Sequence, residues 1–187
     1  LRRCWSDKRS RTGQIYMKMA YADPPYIGQA ARHYEDEEVD HEALIQRLCD
    51  EYPDGWALSA SSPSLHQIIP MCPDDVRVMA WVKPFASFKP NVNPAYAWEP
   101  VLVRRGRKRD RNVSTVRDWV SANITLKRGL VGAKPDAFCY WLFDVLGLEP
   151  SDTFDDLFPG TGAVTRAWEQ RSLRLQRIGE VVAPRLL

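Results

Sequence analysis

Two short segments carry residues able to do chemistry. Tyr21-Ala22-Asp23-Pro24-Pro25-Tyr26 follows a brief apolar run, and Asp155-Asp156-Leu157-Phe158-Pro159-Gly160-Thr161-Gly162 lies toward the end of the chain. In the first, two prolines fix the backbone, so their carbonyls point in set directions. A carboxylate and a fixed carbonyl can together accept both hydrogens of an exocyclic amino group, which draws its nitrogen lone pair toward tetrahedral geometry. Tyr26 offers a flat face on which an extruded base can stack. In the second segment, two glycines let the backbone approach a ligand closely, just before a helix N-terminus. The structural alternatives are a cis-proline turn or helix stop for the first segment and a plain Gly-x-Gly turn for the second.

The elements that must hold these segments read as alternating strands and helices. Residues 19–22 form a short buried strand, stopped by Pro24-Pro25 because proline cannot donate into a ladder. Leu44, Ile45, Leu48 and Cys49 follow helical spacing within a helix over about residues 40–52. Residues 56–60 read as a strand, and Ser62-Pro63 as the cap and first turn of a helix carrying Leu65, Ile68 and Ile69. Residues 76–82 and 97–103 are further strands, separated by a proline-rich loop over 84–95. Lys134-Pro135 opens a helix with Phe138, Trp141, Leu142 and Val145 on one face, ended by Gly147. Residues 153–158 form the last strand, followed by the glycine turn and a helix from about Ala163. This alternation predicts an α/β sheet with parallel segments. Both chemical segments then fall at the carboxyl ends of strands, where such sheets place ligands.

The chain has 187 residues, 44% hydrophobic and 27% charged, with seven tryptophans, which fits one globular domain and excludes disordered and low-complexity classes. Residues 1–16 carry five cations and little apolar periodicity, and are expected to form a basic arm before a single domain over 17–187. Apolar runs such as 78–82 are far too short to span a bilayer. The basic, polar start lacks the apolar core of a secretory leader, and no Cys-x-x-Cys pair occurs, so reduced thiols and a cytoplasmic setting are expected. His33, His41 and Cys49 sit near many acids, but no spacing matches a metal site.

The net charge of +2 announces no polyanion partner, but its distribution is uneven. Residues 35–54 hold nine acids and one base, read as a solvated face. Residues 104–128 hold nine bases and two acids. Arg104, Arg105, Arg107, Lys108, Arg109 and Arg111 are the dense part, and read either as a solvated loop or as a surface for phosphates. They fall within a candidate substrate-binding region near 84–131.

Asp23-Pro24-Pro25-Tyr26 resembles the catalytic motif of amino-group methyltransferases that use S-adenosylmethionine, and Phe158-Pro159-Gly160-Thr161-Gly162 resembles their cofactor loop. Catalytic motif first and cofactor loop last is the permuted order found in one class of bacterial DNA methyltransferases and in the eukaryotic mRNA adenine methyltransferase family. Trp81-Val82-Lys83, the stretch from Glu99 to Gly106 and Lys134-Pro135-Asp136 are similar to segments of the mRNA family. Tyr26, where that family carries Trp, and the two-glycine loop are closer to the bacterial DNA enzymes. The resemblance covers about residues 19–180.

It implies a Rossmann-like methyltransferase sheet with helices on both faces and a permuted motif order. It implies transfer of a methyl group from S-adenosylmethionine to the N6 amino group of a flipped adenine in DNA. An RNA adenine methyltransferase, or a catalytically silent nucleic-acid-binding subunit of the same fold, are the other readings. Asp23, Pro24, Pro25 and Tyr26 would be catalytic. Asp23, Lys134, Asp155, Asp156, Phe158, Gly160, Thr161 and Gly162 would meet the cofactor, with Lys134 facing its carboxylate. Glu180, after Ile178-Gly179, falls where an acid would grip the cofactor ribose; a surface glutamate is its other reading. The basic stretch 104–111 would hold phosphates. Little chain is left for a separate recognition domain, so specificity is short or a second subunit supplies it.

Overall fold

The computed structural model describes residues 16–28, 38–85, 92–124 and 133–182. The basic arm, apart from Tyr16, lies outside these residues, as do parts of the proline-rich loop and of the segment before Lys134.

Six strands make one mixed sheet: β1 (Lys18–Ala22), β2 (Gly55–Ser59), β3 (Val76–Val82), β4 (Trp98–Arg105), β5 (Trp119–Ser121) and β6 (Thr153–Asp156). Their order is β5-β3-β4-β2-β1-β6. β1 runs parallel to β2 and β6, β3 runs parallel to β5, and β4 is antiparallel to both β2 and β3. The carboxyl ends of β1, β2, β3 and β6 and the start of β4 therefore share one rim.

The helices are α1 (His41–Glu51), the four-residue α2 (Leu65–Ile68), α3 (Asp136–Leu146) and α4 (Ala163–Val182). Side chains alternate across a strand, and the core divides accordingly. Met19, Tyr21, Ala57, Trp81, Val101 and Val103 pack with α3 and α4. Ala20, Ala22, Trp56, Leu58 and Leu102 pack with α1 and α2. Helices thus cover both faces, as the resemblance implied. Asp40 caps α1 by accepting from the Ala43 amide at 2.9 Å, and Leu44, Ile45 and Leu48 are buried. Burial of each is worth about 1.5–3 kcal/mol. Gly147 ends α3 at φ 68°, the left-handed conformation that lets the Leu148 amide reach back to the Phe143 carbonyl. Phe143 meets Phe154 and Trp168 edge-on, both at 5.4 Å between ring centres, and so ties α3, β6 and α4 together.

Three elements differ from the sequence reading. The helix expected after Ser62 is broken into 3-10 turns on either side of α2; Pro63 opens the first turn, and Pro70 removes a backbone donor where the helix would continue. β6 stops at Asp156 rather than running to residue 158. β5 was not expected: three residues in a polar stretch carry no readable period, and its place is set by pairing with β3.

Candidate active site

β1 ends at Ala22, and Asp23-Pro24-Pro25-Tyr26 leads the chain off the rim. The carboxylate of Asp23 already has a partner. Lys134 Nζ, just before α3, lies 2.7 Å from Asp23 Oδ2 and 3.6 Å from Glu99 Oε2. Glu99, near the start of β4, also accepts a short hydrogen bond from Lys83 Nζ, which stands just beyond β3, and another from the Tyr26 hydroxyl. Asp23, Lys134, Glu99 and Lys83 thus form one alternating line of charge along the rim. Both ammonium groups sit against Trp81, at 4.7 Å for Lys83 and 5.4 Å for Lys134.

Burial sets the electrostatics of this line. It pushes the Asp23 carboxyl above the usual range, and the bonded Lys134 only partly offsets that. Burial opposes the charge on Lys134 too, but Asp23 and Glu99 outweigh it and raise its pKa, so it stays an ammonium. Burial would likewise raise Glu99; there Lys134 and Lys83 win, and its carboxyl lies below the usual range. Asp23 is therefore the acid whose negative charge is least comfortable, and Glu99 the one whose charge is best supported.

The second segment follows β6, the strand beside β1. Pairing of Tyr21 with Asp156 sets the two segments side by side, one strand spacing apart, about 5 Å. Neighbouring acids on a strand face opposite ways, and Asp155 and Asp156 do so here. Asp155 Oδ2 accepts from the Tyr52 hydroxyl at 2.8 Å, at the end of α1, and burial with this bond pushes the Tyr52 phenol up to about 12. Asp155, expected at the cofactor, is thus tied to α1 instead. Asp156 Oδ2 accepts from Thr165 Oγ1 on α4 at 3.0 Å, the Phe158 and Thr165 amides also support the carboxylate, and Oδ1 is buried. Burial raises the Asp156 carboxyl, and Asp23 adds to the rise.

Gly160 and Gly162 have φ of 47° and 72°, the left-handed region in which a side chain is strained. A Cβ at Gly160 would meet no protein atom nearer than the Phe158 carbonyl at 4.0 Å, so that side of the turn is open. The turn closes through Gly162 N to the Pro159 carbonyl at 2.6 Å and leads into α4. Phe158 packs against the α1 side of the core, and the Thr161 carbonyl accepts from Arg166 at 2.7 Å. A buried carboxylate at Asp156, an open glycine backbone and a buried ammonium at Lys134 fit a ligand bearing an amino-acid group.

Glu180 requires a correction. Ile178-Gly179-Glu180 lies within α4, since one glycine inside a helix is tolerated. That puts its backbone about 25 Å along the helix from Ala163, far from the glycine turn. The Glu180 side chain lies outside the described residues.

The basic stretch also differs from expectation. β4 is antiparallel to β2, and Arg105 pairs with Gly55 at the start of that strand. The run therefore begins at the rim opposite Asp23. Arg104 bonds Asp75 at 2.7 Å, Arg105 bonds it at 3.1 Å, and Arg107 bonds the buried Asp152 at 2.6 Å. Arg109 donates to the Ser114 and Asp144 carbonyls at 2.8 and 2.6 Å. Four of the six residues expected to meet phosphate are thus engaged within the fold, Arg105 and Arg109 while still exposed; Lys108 and Arg111 are exposed too. Glu99 and Lys83 carried no role in the sequence reading beyond their place in the middle motifs.

Among the described residues no group of three or more His, Cys, Asp or Glu is placed to hold a metal, and no helix is long and apolar enough to cross a membrane. Neither family models nor curated protein sequences give a match to the chain. Solved structures do match, two of them of one protein. One is M1.HpyAVI in complex with SAM (S-adenosylmethionine), with a TM-score of 0.56, 14% identity, and 83% of this chain and 78% of that chain covered. The other is M1.HpyAVI alone, with a TM-score of 0.54, 14% identity, and 84% and 77% covered. The likeness is one of fold, and by it the chain is an α/β protein with a Rossmann-like sheet.

Proposed function

We propose that the protein is an S-adenosylmethionine-dependent methyltransferase acting on the exocyclic amino group of adenine in DNA. The observation that carries this reading is the placement of two turns on neighbouring parallel strands: Asp23-Pro24-Pro25-Tyr26 after β1 and the Gly160–Gly162 turn after β6. They stand in a fold shared with a protein solved with SAM.

The bound cofactor would supply an electrophilic methyl group on its sulfonium, with no need of a metal. Lys134 would hold its carboxylate, Asp156 Oδ1 would accept from a donor on it, and the open backbone at Gly160 would allow its close approach. Asp23 and a proline carbonyl would accept the two amino hydrogens of the target base. The Tyr26 ring, held through its hydroxyl by Glu99, would carry the base flipped out of its stack. Catalysis would then consist of positioning and dipole placement, with no covalent enzyme intermediate. Incubating the protein with plasmid and methyl-labelled cofactor, then digesting to nucleosides, tests this. Label in N6-methyladenine is expected; label in methylcytosine, or none, refutes it.

One observation favours RNA as a second reading. Lys83, Glu99 and Lys134 come from the three segments that resemble the mRNA family, and all three meet Asp23 in one cluster. Competition between DNA and RNA substrates separates the two.

A further inference from the structure

An exposed aromatic surface runs along the rim beside this site. Tyr96 is 55% exposed, Trp98 39% and Trp119 42%. Burying a large ring is favourable, so rings left in water on a rigid rim ask what covers them. Trp98 pairs with Val82, and Trp119 with Ala80. Registered partners and alternate residues of one strand share a face, so both tryptophans stand on the same face of the sheet, with β3 between them. It is the face that α1 and α2 cover farther in, through Leu102 and Leu58. Here they do not reach, and Val78 on the same strand face is also exposed.

The two tryptophans stand on strands held by fixed backbone, and Tyr96 precedes β4. Lys83 N donates to the Ala97 carbonyl at 2.8 Å, and Trp141 Nε1 donates to the Arg117 carbonyl at 2.9 Å. Next to Trp98, residues 92–98 and Ser62 line an open cleft of about 360 Å³. Asn93 and the Ser62 hydroxyl give it polar groups able to meet base edges. The Arg117 guanidinium lies over the Trp119 ring at 5.4 Å, so a cation accompanies the stacking surface. Trp98 directly precedes Glu99, so its ring leaves β4 on the face opposite the Glu99 carboxylate, and the two meet only across the rim; β4 itself lies two strands, about 10 Å, from β1. Rigid rings, an adjoining cation and polar groups that can read edges are the components of a surface for unpaired nucleic acid.

We propose that Tyr96, Trp98 and Trp119 form a stacking platform for unpaired deoxynucleotides flanking the target adenine. This rests on the methyltransferase reading and extends it: the strand being modified is splayed along the rim, not only at the flipped base. Stacking is tolerant of sequence, so the platform adds affinity without dictating the site.

The test is fluorescence anisotropy with a labelled single-stranded oligodeoxyadenylate, over a salt series, alongside plasmid methylation by the same proteins. Tyr96→Ala, Trp98→Ala and Trp119→Ala should each weaken binding, by about five- to hundredfold for a ring that carries a base. The slope of log affinity against log salt should stay unchanged, because no phosphate contact is removed. Trp98→Phe should retain most of the affinity, which separates stacking from misfolding. A triple alanine variant binding within about twofold of the parent overturns the platform, even where the parent methylates adenine. Ring-dependent binding by a parent that transfers no methyl group would instead sustain the platform and remove the methyltransferase reading. Tighter ring-dependent binding of oligoadenylate RNA than of the DNA would overturn the assignment to deoxynucleotides.

Discussion

Lys134 Nζ lies 2.7 Å from Asp23 Oδ2, so the cation expected to face the cofactor carboxylate is bonded to the carboxylate expected to face the target base. The pair couples the two halves of the site. A carboxylate arriving at Lys134 competes with Asp23 for the same ammonium, and so loosens the group that must receive the base. Lys134→Met should act on both. Cofactor affinity should fall, with the parent's affinity weakening in salt and the variant's less so. Asp23 would also lose the charge that lowers its pKa, while burial continues to raise it. The acidic limb of the rate profile should therefore move to higher pH in the variant. Initial rates across a pH series check this; an unmoved limb separates Lys134 from the ionisation of Asp23.

Glu99→Gln should cost stability in a pH-dependent way. The Glu99 carboxyl lies below the ordinary value of 4.5, so its charge stabilises the fold above that pH, and the benefit is lost as pH falls through its lower folded value. Removing the charge should cost about 2 kcal/mol at neutral pH, the order of a hydrogen bond to a charged group. Urea unfolding of both proteins should show the gap at pH 7 and its narrowing well below 4.5.

Gly160→Ala should separate ligand binding from folding. The left-handed backbone costs an alanine about 1–2 kcal/mol, but its Cβ would meet no protein atom within 4.0 Å. Thermal unfolding should shift modestly. Calorimetric titration with S-adenosylmethionine should show a larger loss, since the methyl group stands where a ligand would approach.

The basic stretch should divide into two kinds of residue. Arg107→Ala would leave Asp152 buried without its guanidinium, though still accepting from the Met17 and Glu149 amides. It should lower stability by about 3 kcal/mol. Lys108→Ala with Arg111→Ala should leave stability unchanged within about 0.5 kcal/mol. Nucleic-acid affinity measured for the same variants shows whether this rim meets phosphate at all.

Much of this site was legible in local sequence. Asp23-Pro24-Pro25-Tyr26 and the glycine turn are contiguous, their chemistry lies in their residue types, and short apolar runs place each after a strand. α1 and α3 were legible from helical spacing and a closing Gly147. What escaped depends on register. Nothing near Glu99 shows that it will meet Lys83 and Lys134; that follows from β4 running antiparallel beside β3 and starting at the active rim. The same reversal carries Arg104 and Arg105 to the opposite rim, where Asp75, distant in sequence, takes up their charge. The split between Asp155 and Asp156 follows from strand alternation. Glu180 was placed by the resemblance alone, and the helix that begins at Ala163 runs on through Val182 and carries it away from the glycine turn.

The central claim is that Asp23 receives the amino group of adenine while the neighbouring glycine turn holds the cofactor. Label transfer from S-adenosylmethionine into N6-methyladenine of plasmid DNA, compared between the parent and Asp23→Ala with cofactor binding followed by calorimetry, tests it most directly. The parent should transfer, and the variant should lose transfer by the equivalent of roughly 2–4 kcal/mol of transition-state stabilisation while keeping most of its cofactor affinity. Near-normal turnover in Asp23→Ala, or a parent that binds no S-adenosylmethionine, would contradict it.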